Sequence, residues 1–278
     1  MITAAGKMLR CALHDVQVVA GDYTRISQLF PTTPSGRCYF AGPRPVGHGA
    51  QFYVGTPMLL PPLFDFLAGL AAHNDRAWFQ ERKAEYTRLR ADFEEDAAFW
   101  RQELNRLDPA LAGPLGRTSV FRIYRDVRFS KNKDPYKTHF SAYFTASAGK
   151  DIDAPGYYVQ VGPGSTLVAA GLYQPDKVQV AAIRQEIDYN ADGLRAVLGA
   201  PGFRQYFAGL GGDRLKKAPA GYDPAHPEIE FLKHKSFVVS QEIPDAEVLA
   251  QKDFRGFVLA RLEALGPFCG FLREALDQ

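Results

Sequence analysis

The chain predicts an α+β fold, an antiparallel sheet of about five strands with helices packed mainly on one face. Three observations point there. Apolar residues recur at helical spacing before residue 108 and again after residue 175. Between them lie short runs that alternate, two of them joined by Gly162-Pro163-Gly164-Ser165, a hairpin turn signal. No strand–helix–strand alternation and no internal repeat occurs, which argues against a parallel sheet.

Taken in order, Leu63, Phe66, Leu67 and Leu70 mark a first helix ending near His73-Asn74. Asp75 can cap a second helix reaching about Leu107, with Trp78, Phe79, Tyr86, Leu89, Phe93 and Trp100 on its apolar side. Asp108-Pro109 and Gly113-Pro114 close it. Strands are expected at 120–129, 138–145, 157–161, 167–172 and 235–241. Gln174-Pro175-Asp176 opens a helix to about Tyr189, with shorter helices at 193–198, 203–210 and 228–232. A final amphipathic helix spans 253–276, interrupted at Gly266-Pro267.

Residues 58–278 read as one α+β domain. Residues 1–57 carry scattered Gly and Pro without sustained periodicity, so they are expected to be a poorly ordered extension or an over-extended start ahead of Met58.

The 278 residues are 46% hydrophobic and 23% charged, an ordinary globular composition. A net charge of +2 gives no global field toward nucleic acid or membrane, so any attraction to anions is local. Cys11, Cys38 and Cys269 form neither a disulfide framework nor a zinc motif, which fits a reducing, cytoplasmic setting. No segment approaches the length of a membrane helix, so no membrane association is expected.

Charge concentrates in FRIYRDVRFSKNKDPYKTH, residues 121–139. Arg117, Arg122, Arg125, Arg128, Lys131, Lys133 and Lys137 face only Asp126 and Asp134, a local excess of +5. As a strand, FRIYRDVRF places Phe121, Ile123, Arg125, Val127 and Phe129 on a core face and Arg122, Tyr124, Asp126 and Arg128 on the other. Arg125 is then a buried guanidinium that must meet an internal carboxylate (Glu81, Glu85 or Asp92) or a ligand anion. Ser130, Lys131, Lys133 and Lys137 continue the cationic character, and Tyr124 and Tyr136 could stack on a base or sugar.

A second basic loop, LKKAPAGYDPAHPEIEFLKHKSF, carries Asp223 and His226 among prolines. If the two loops meet, His139, Asp126, His226 and Asp223 are the acid–base candidates. No HxH, HExxH or HxxxH spacing occurs, so no metal is expected. GxxxxGK[ST], GxGxxG and GxSxG are absent, so neither a cofactor nor a familiar nucleophile elbow is expected.

The stretch 121–139, with NDRAWFQERKAEY (residues 74–86), PGYYVQVGPGSTLVAAGLYQP (155–175) and the 215–237 loop, resembles the domain of unknown function 2461 family of conserved uncharacterised bacterial proteins. The resemblance spans 58–278 in order. Where family members usually carry a small residue or Gly, this chain has Phe140-Ser141-Ala142. The family carries no established activity. The resemblance therefore implies a shared site at Arg122, Arg125, Asp126, Arg128, Lys133, Tyr136, Lys137 and His139.

The expectation that follows is a cationic pocket for a small phosphate- or carboxylate-bearing ligand. Arg125 is its anchor, Arg122, Arg128, Lys133, Tyr136 and Lys137 its rim, and the second loop a wall. Two rivals stand beside it: an enzyme using His and Asp on the same anion, and a nucleic-acid-binding module. The oligomeric state stays open.

Overall fold

The computed structural model describes residues 60–112, 117–146 and 154–277; the expected extension at 1–57 lies outside the described residues. The protein is α+β, with an antiparallel sheet and ten helices among the described residues.

Leu60–Ala72 (α1) buries Leu63, Phe66, Leu67 and Leu70, the stripe that the spacing predicts. Asp75 then caps Arg76–Glu81 (α2), its carboxylate accepting from the Trp78 amide at 3.0 Å. The expected single long helix is divided at Arg82, whose backbone leaves helical geometry, and resumes as Lys83–Leu107 (α3). Pro109–Ala112 (α4) follows.

The body of the sheet is four six-residue strands: Phe140–Thr145 (β2), Gly156–Val161 (β3), Leu167–Leu172 (β4) and Phe237–Glu242 (β5). A four-residue strand, Arg117–Val120 (β1), flanks β2, and the spatial order is β1-β2-β3-β4-β5, all antiparallel. Between β4 and β5 run Lys177–Tyr189 (α5), Ala191–Gly199 (α6), Pro201–Arg204 (α7) and Ile229–Leu232 (α8). Asp176 caps α5 in a reciprocal box with Gln179. Asp245–Leu249 (α9), which the pattern did not predict, and Phe254–Leu276 (α10) complete the chain.

Helices α3 and α10 pack on the face that carries Phe140, Ala142, Phe144, Tyr157, Val159, Val168, Ala170 and Val239. A sheet covered on one face alternates buried and exposed residues. Here every residue of β2, β3 and β4 is buried, and Phe121, Tyr143, Tyr158, Leu167, Ala169 and Val238 form a second apolar cluster with the opposite register.

Two expectations fail for local reasons. The predicted strand at 120–129 ends at Val120; Phe121–His139 is an excursion with one isolated bridge, Tyr124 to Tyr136. Helix α10 runs unbroken through Pro267, because its apolar stripe (Val258, Leu262, Leu265, Phe268, Leu272) is fully buried and outweighs one missing backbone donor.

Candidate functional site

The 121–139 excursion leaves the sheet where β1 ends and β2 begins. Its stem is a narrow antiparallel turn: the Phe121 amide donates to the Ser141 carbonyl (3.0 Å), Lys137 to Ile123 (2.7 Å) and Arg125 to Pro135 (2.9 Å). Three other segments fasten it. Asn74, in the α1–α2 corner, accepts from the Tyr136 amide at 3.0 Å and donates to the Tyr136 carbonyl at 3.1 Å. The Tyr136 ring stacks on Phe79, centroids 4.2 Å apart and 18° between planes. Gly162, in the β3–β4 turn, passes so close that a Cβ there would lie 2.7 Å from the Thr138 carbonyl oxygen and 2.9 Å from His139 Cβ. The segments at 74–86, 121–139 and 155–175 therefore meet at one end of the sheet.

Arg125 is not the deep anchor that strand alternation predicts. Its side chain is 17% exposed, and it donates from Nη1 to the Asp134 carbonyl (3.0 Å) and from Nη2 to Ser130 Oγ (3.5 Å), with the Asp134 carboxylate at 4.0 Å. These partners lie within its own loop, not at Glu81, Glu85 or Asp92. Phe129, assigned to the core by the same alternation, is 95% exposed. Once the strand ends at Val120, the period-two argument has no pleat to act through.

Asp126 is gripped by the Arg128 fork, with contacts of 2.6 to 3.1 Å from Nε and Nη2. That hydrogen bonding, with a smaller push from Arg122, holds the Asp126 carboxyl down at about 2. Lys133 Nζ donates to the Val127 carbonyl at 2.9 Å, closing the tip. Tyr136 is 2% exposed and belongs to the core, so it cannot stack on a ligand from the rim. Lys137 is equally enclosed at 5%, its ammonium 5.3 Å from the Phe121 ring centre.

His139 sits beside these cations. Burial first, then the charges of Lys137 and Arg125, push its imidazole down to about 3, so the ring is neutral at physiological pH. Its Nε2 is out of solvent and makes no hydrogen bond among the described residues, and the same is true of Ser141 Oγ in β2. Ser141 and Asn74 were missed by sequence reasoning. Asn74 had a faint signal, as a polar residue just past a helix end inside the resembling segment.

The second basic loop does not join this site. It leads into β5 at Phe237, and the β2–β5 registers put that end of the sheet opposite the end carrying His139. Strands β1 and β5 are also the two edges, about 19 Å apart at roughly 4.8 Å per strand. His226 is engaged there: Nδ1 accepts from the Glu228 amide (3.0 Å) and Nε2 lies 2.8 Å from Asp188 Oδ1. Both ring nitrogens are occupied, Nε2 tying the loop to α5 and Nδ1 holding the loop's own backbone. Asp223 accepts from the Ala225 amide at 2.8 Å in a tight turn. The loop is thus corrected from a wall of the site to a separate structural feature. Among the described residues no group of three or more His, Cys, Asp or Glu could hold a metal ion, and no helix is long and apolar enough to cross a membrane.

Fold and loop together define an α+β protein that carries a polybasic excursion and a neutral, partly buried imidazole at one end of its antiparallel sheet. The chain belongs to the family described as conserved hypothetical protein (DUF2461), whose model matches residues 62–271. No curated protein and no solved structure matches it.

Proposed function

We propose that the protein binds a small phosphate- or carboxylate-bearing ligand at the 121–139 loop, with Arg125 and Lys137 supplying charge and His139 Nε2 supplying a neutral hydrogen-bond donor. The observation that carries this reading is the surroundings of His139. The two charged groups that act on the ring are both cationic. A polar nitrogen left without a hydrogen bond away from water costs about 1–3 kcal/mol, and an anionic oxygen seated there would remove that cost and offset the converging positive charge. Arg122 and Lys133 extend the same positive field toward the exposed side of the loop, where Arg128 is paired with Asp126.

An acid–base enzyme on the same anion has less behind it. An imidazole depressed to about 3 is a weak base at neutral pH, and Asp126, held by Arg128, has no lone proton to exchange there.

The test is thermal unfolding of the full chain in inorganic phosphate against chloride at matched ionic strength. A ligand at 100 times its dissociation constant adds about 2.7 kcal/mol, or about 5–10 °C for a domain of this size. The reading predicts such a rise in the native protein and its loss in Arg125→Gln and Lys137→Met. An equal response in native and variant proteins would overturn it.

A further inference from the structure

The tip of the excursion, Arg128-Phe129-Ser130-Lys131-Asn132-Lys133, carries three cations around one aromatic ring, of which Arg128 is paired with Asp126 and Lys131 and Lys133 face no carboxylate among the described residues. That ring is open to solvent over nearly its whole surface, with the Arg128 guanidinium 5.8 Å from its centre. The exposure is built in. The Ser130 amide donates to the Val127 carbonyl at 3.4 Å, Lys133 Nζ donates to the same oxygen at 2.9 Å, and Asn132 Oδ1 accepts from the Asp134 amide at 2.8 Å. Arg125, bound to the Asp134 carbonyl, ties the two arms together. An ordered turn thus projects a phenyl ring that the core does not use.

We infer that this tip is a stacking platform for single-stranded nucleic acid, Phe129 taking the face of an unpaired base while Lys131 and Lys133 contact the flanking phosphates. Stacking on an aromatic side chain is tolerant of base identity, and a positively charged surface beside it tracks the backbone. The inference rests on the anion-binding reading of the same loop and extends its ligand from a small anion to a polymer. An anionic membrane would also meet the charges, but even a myristoyl chain gives only marginal membrane binding, so one phenyl ring cannot anchor the protein there. Of Tyr124 and Tyr136, which the sequence offered as stacking side chains, Tyr136 is buried and Tyr124 stays half-exposed, and Phe129 takes that role at the tip.

The experiment is fluorescence anisotropy of a labelled oligothymidylate titrated with the full chain at two salt concentrations, with Phe129→Ala and Phe129→Leu beside the native protein. Because Phe129 touches almost nothing, both variants keep the native fold and melting temperature. The inference expects saturable binding weakened at least about tenfold by both substitutions, since leucine keeps apolar bulk but loses the aromatic face. It also expects a salt slope of about −1.4, two phosphate contacts at about −0.7 each. Affinity unchanged in Phe129→Ala, or no binding at low salt, overturns it. Retention by vesicles rich in phosphatidylserine, kept in Phe129→Leu, would assign the tip to lipid and overturn it as well. The stabilisation by inorganic phosphate described above separates the two claims: phosphate binding without Phe129-dependent oligothymidylate binding leaves the small-anion reading standing and removes only this one.

Discussion

Asn74 grips the backbone of Tyr136 from both sides, its amide oxygen accepting from the Tyr136 N–H at 3.0 Å and its amide nitrogen donating to the Tyr136 carbonyl at 3.1 Å. The two residues are 62 positions apart, and this pair fixes the cationic excursion to the α1–α2 corner. Each such bond contributes about 0.5–1.5 kcal/mol net. Asn74→Ala is therefore expected to lower stability by about 1–3 kcal/mol in denaturant unfolding, and Asn74→Asp to lose about as much because a carboxylate cannot donate to the carbonyl. A loss below about 0.5 kcal/mol would show that Phe79 stacking holds the loop unaided.

Stability should also fall between mildly acidic and acidic pH for a reason unrelated to carboxylates. His139, partly buried, and His234, fully buried, are neutral, pushed down to about 3 and about 4. For His234, burial acts first and the Arg214 charge second. An unfolded histidine titrates near about 6.5. Below that value the unfolded chain binds protons that the folded chain does not, so stability is complete above about 6.5 and declines as pH falls toward the folded values. Urea midpoints taken across this window should drop steadily in the native protein and less in His234→Phe. Asp126 acts in a lower window, since its folded carboxyl lies at about 2 and its contribution disappears only below the ordinary aspartate range. A midpoint flat from neutrality down to about pH 4 would contradict the assignment of two neutral histidines.

The α3–α10 contact contains a buried ion pair, Arg255 Nε to Asp96 Oδ1 at 2.5 Å, beside the Trp100 indole, which donates to the Arg255 carbonyl at 3.0 Å. Removing one partner strands the other charge, a change that typically costs about 3–5 kcal/mol. Asp96→Ala should fall in that range, and Asp96→Leu combined with Arg255→Met should recover most of the loss. A double variant no better than the single one would mean that the surrounding packing, rather than the charge, sets the cost.

Gly171 sits in β4 at φ +125, and a Cβ there would run into the Phe237 carbonyl of the neighbouring strand. Gly171→Ala is expected to destabilise by more than about 2 kcal/mol, through strained backbone and a displaced β5. Gly164, at φ +61 in the β3–β4 turn, has open space around its missing Cβ, so Gly164→Asn should cost well under about 1 kcal/mol. Thermal unfolding of the two variants side by side checks the contrast.

The helices were legible because their apolar stripes are long and their caps sit at the ends. Asp75 and Asp176 cap the helices that the sequence assigns to them. The hairpin across Gly162-Pro163-Gly164-Ser165 was equally plain. The cationic stretch was legible as a place but not as a shape. FRIYRDVRF alternates like a strand, yet its partner in space is its own distal arm, and the Arg128–Asp126 fork and the Asn74 clamp fold it back on itself. Alternation alone therefore buried Phe129, which the structure exposes, and the loop reading put Tyr136 at a rim, although the structure buries it. Helix α9 is only five residues long, too short to show a period. The distance between the two basic loops depends on strand order, which composition and spacing do not encode.

The most direct measurement is the titration of the His139 ring by NMR in inorganic phosphate and in chloride at the same ionic strength. An anion seated between Lys137, Arg125 and His139 must offset the two charges that depress the imidazole, so phosphate should raise its pKa above about 3 while leaving that of His234 where it is. A His139 titration identical in the two salts would contradict an anion site at this loop.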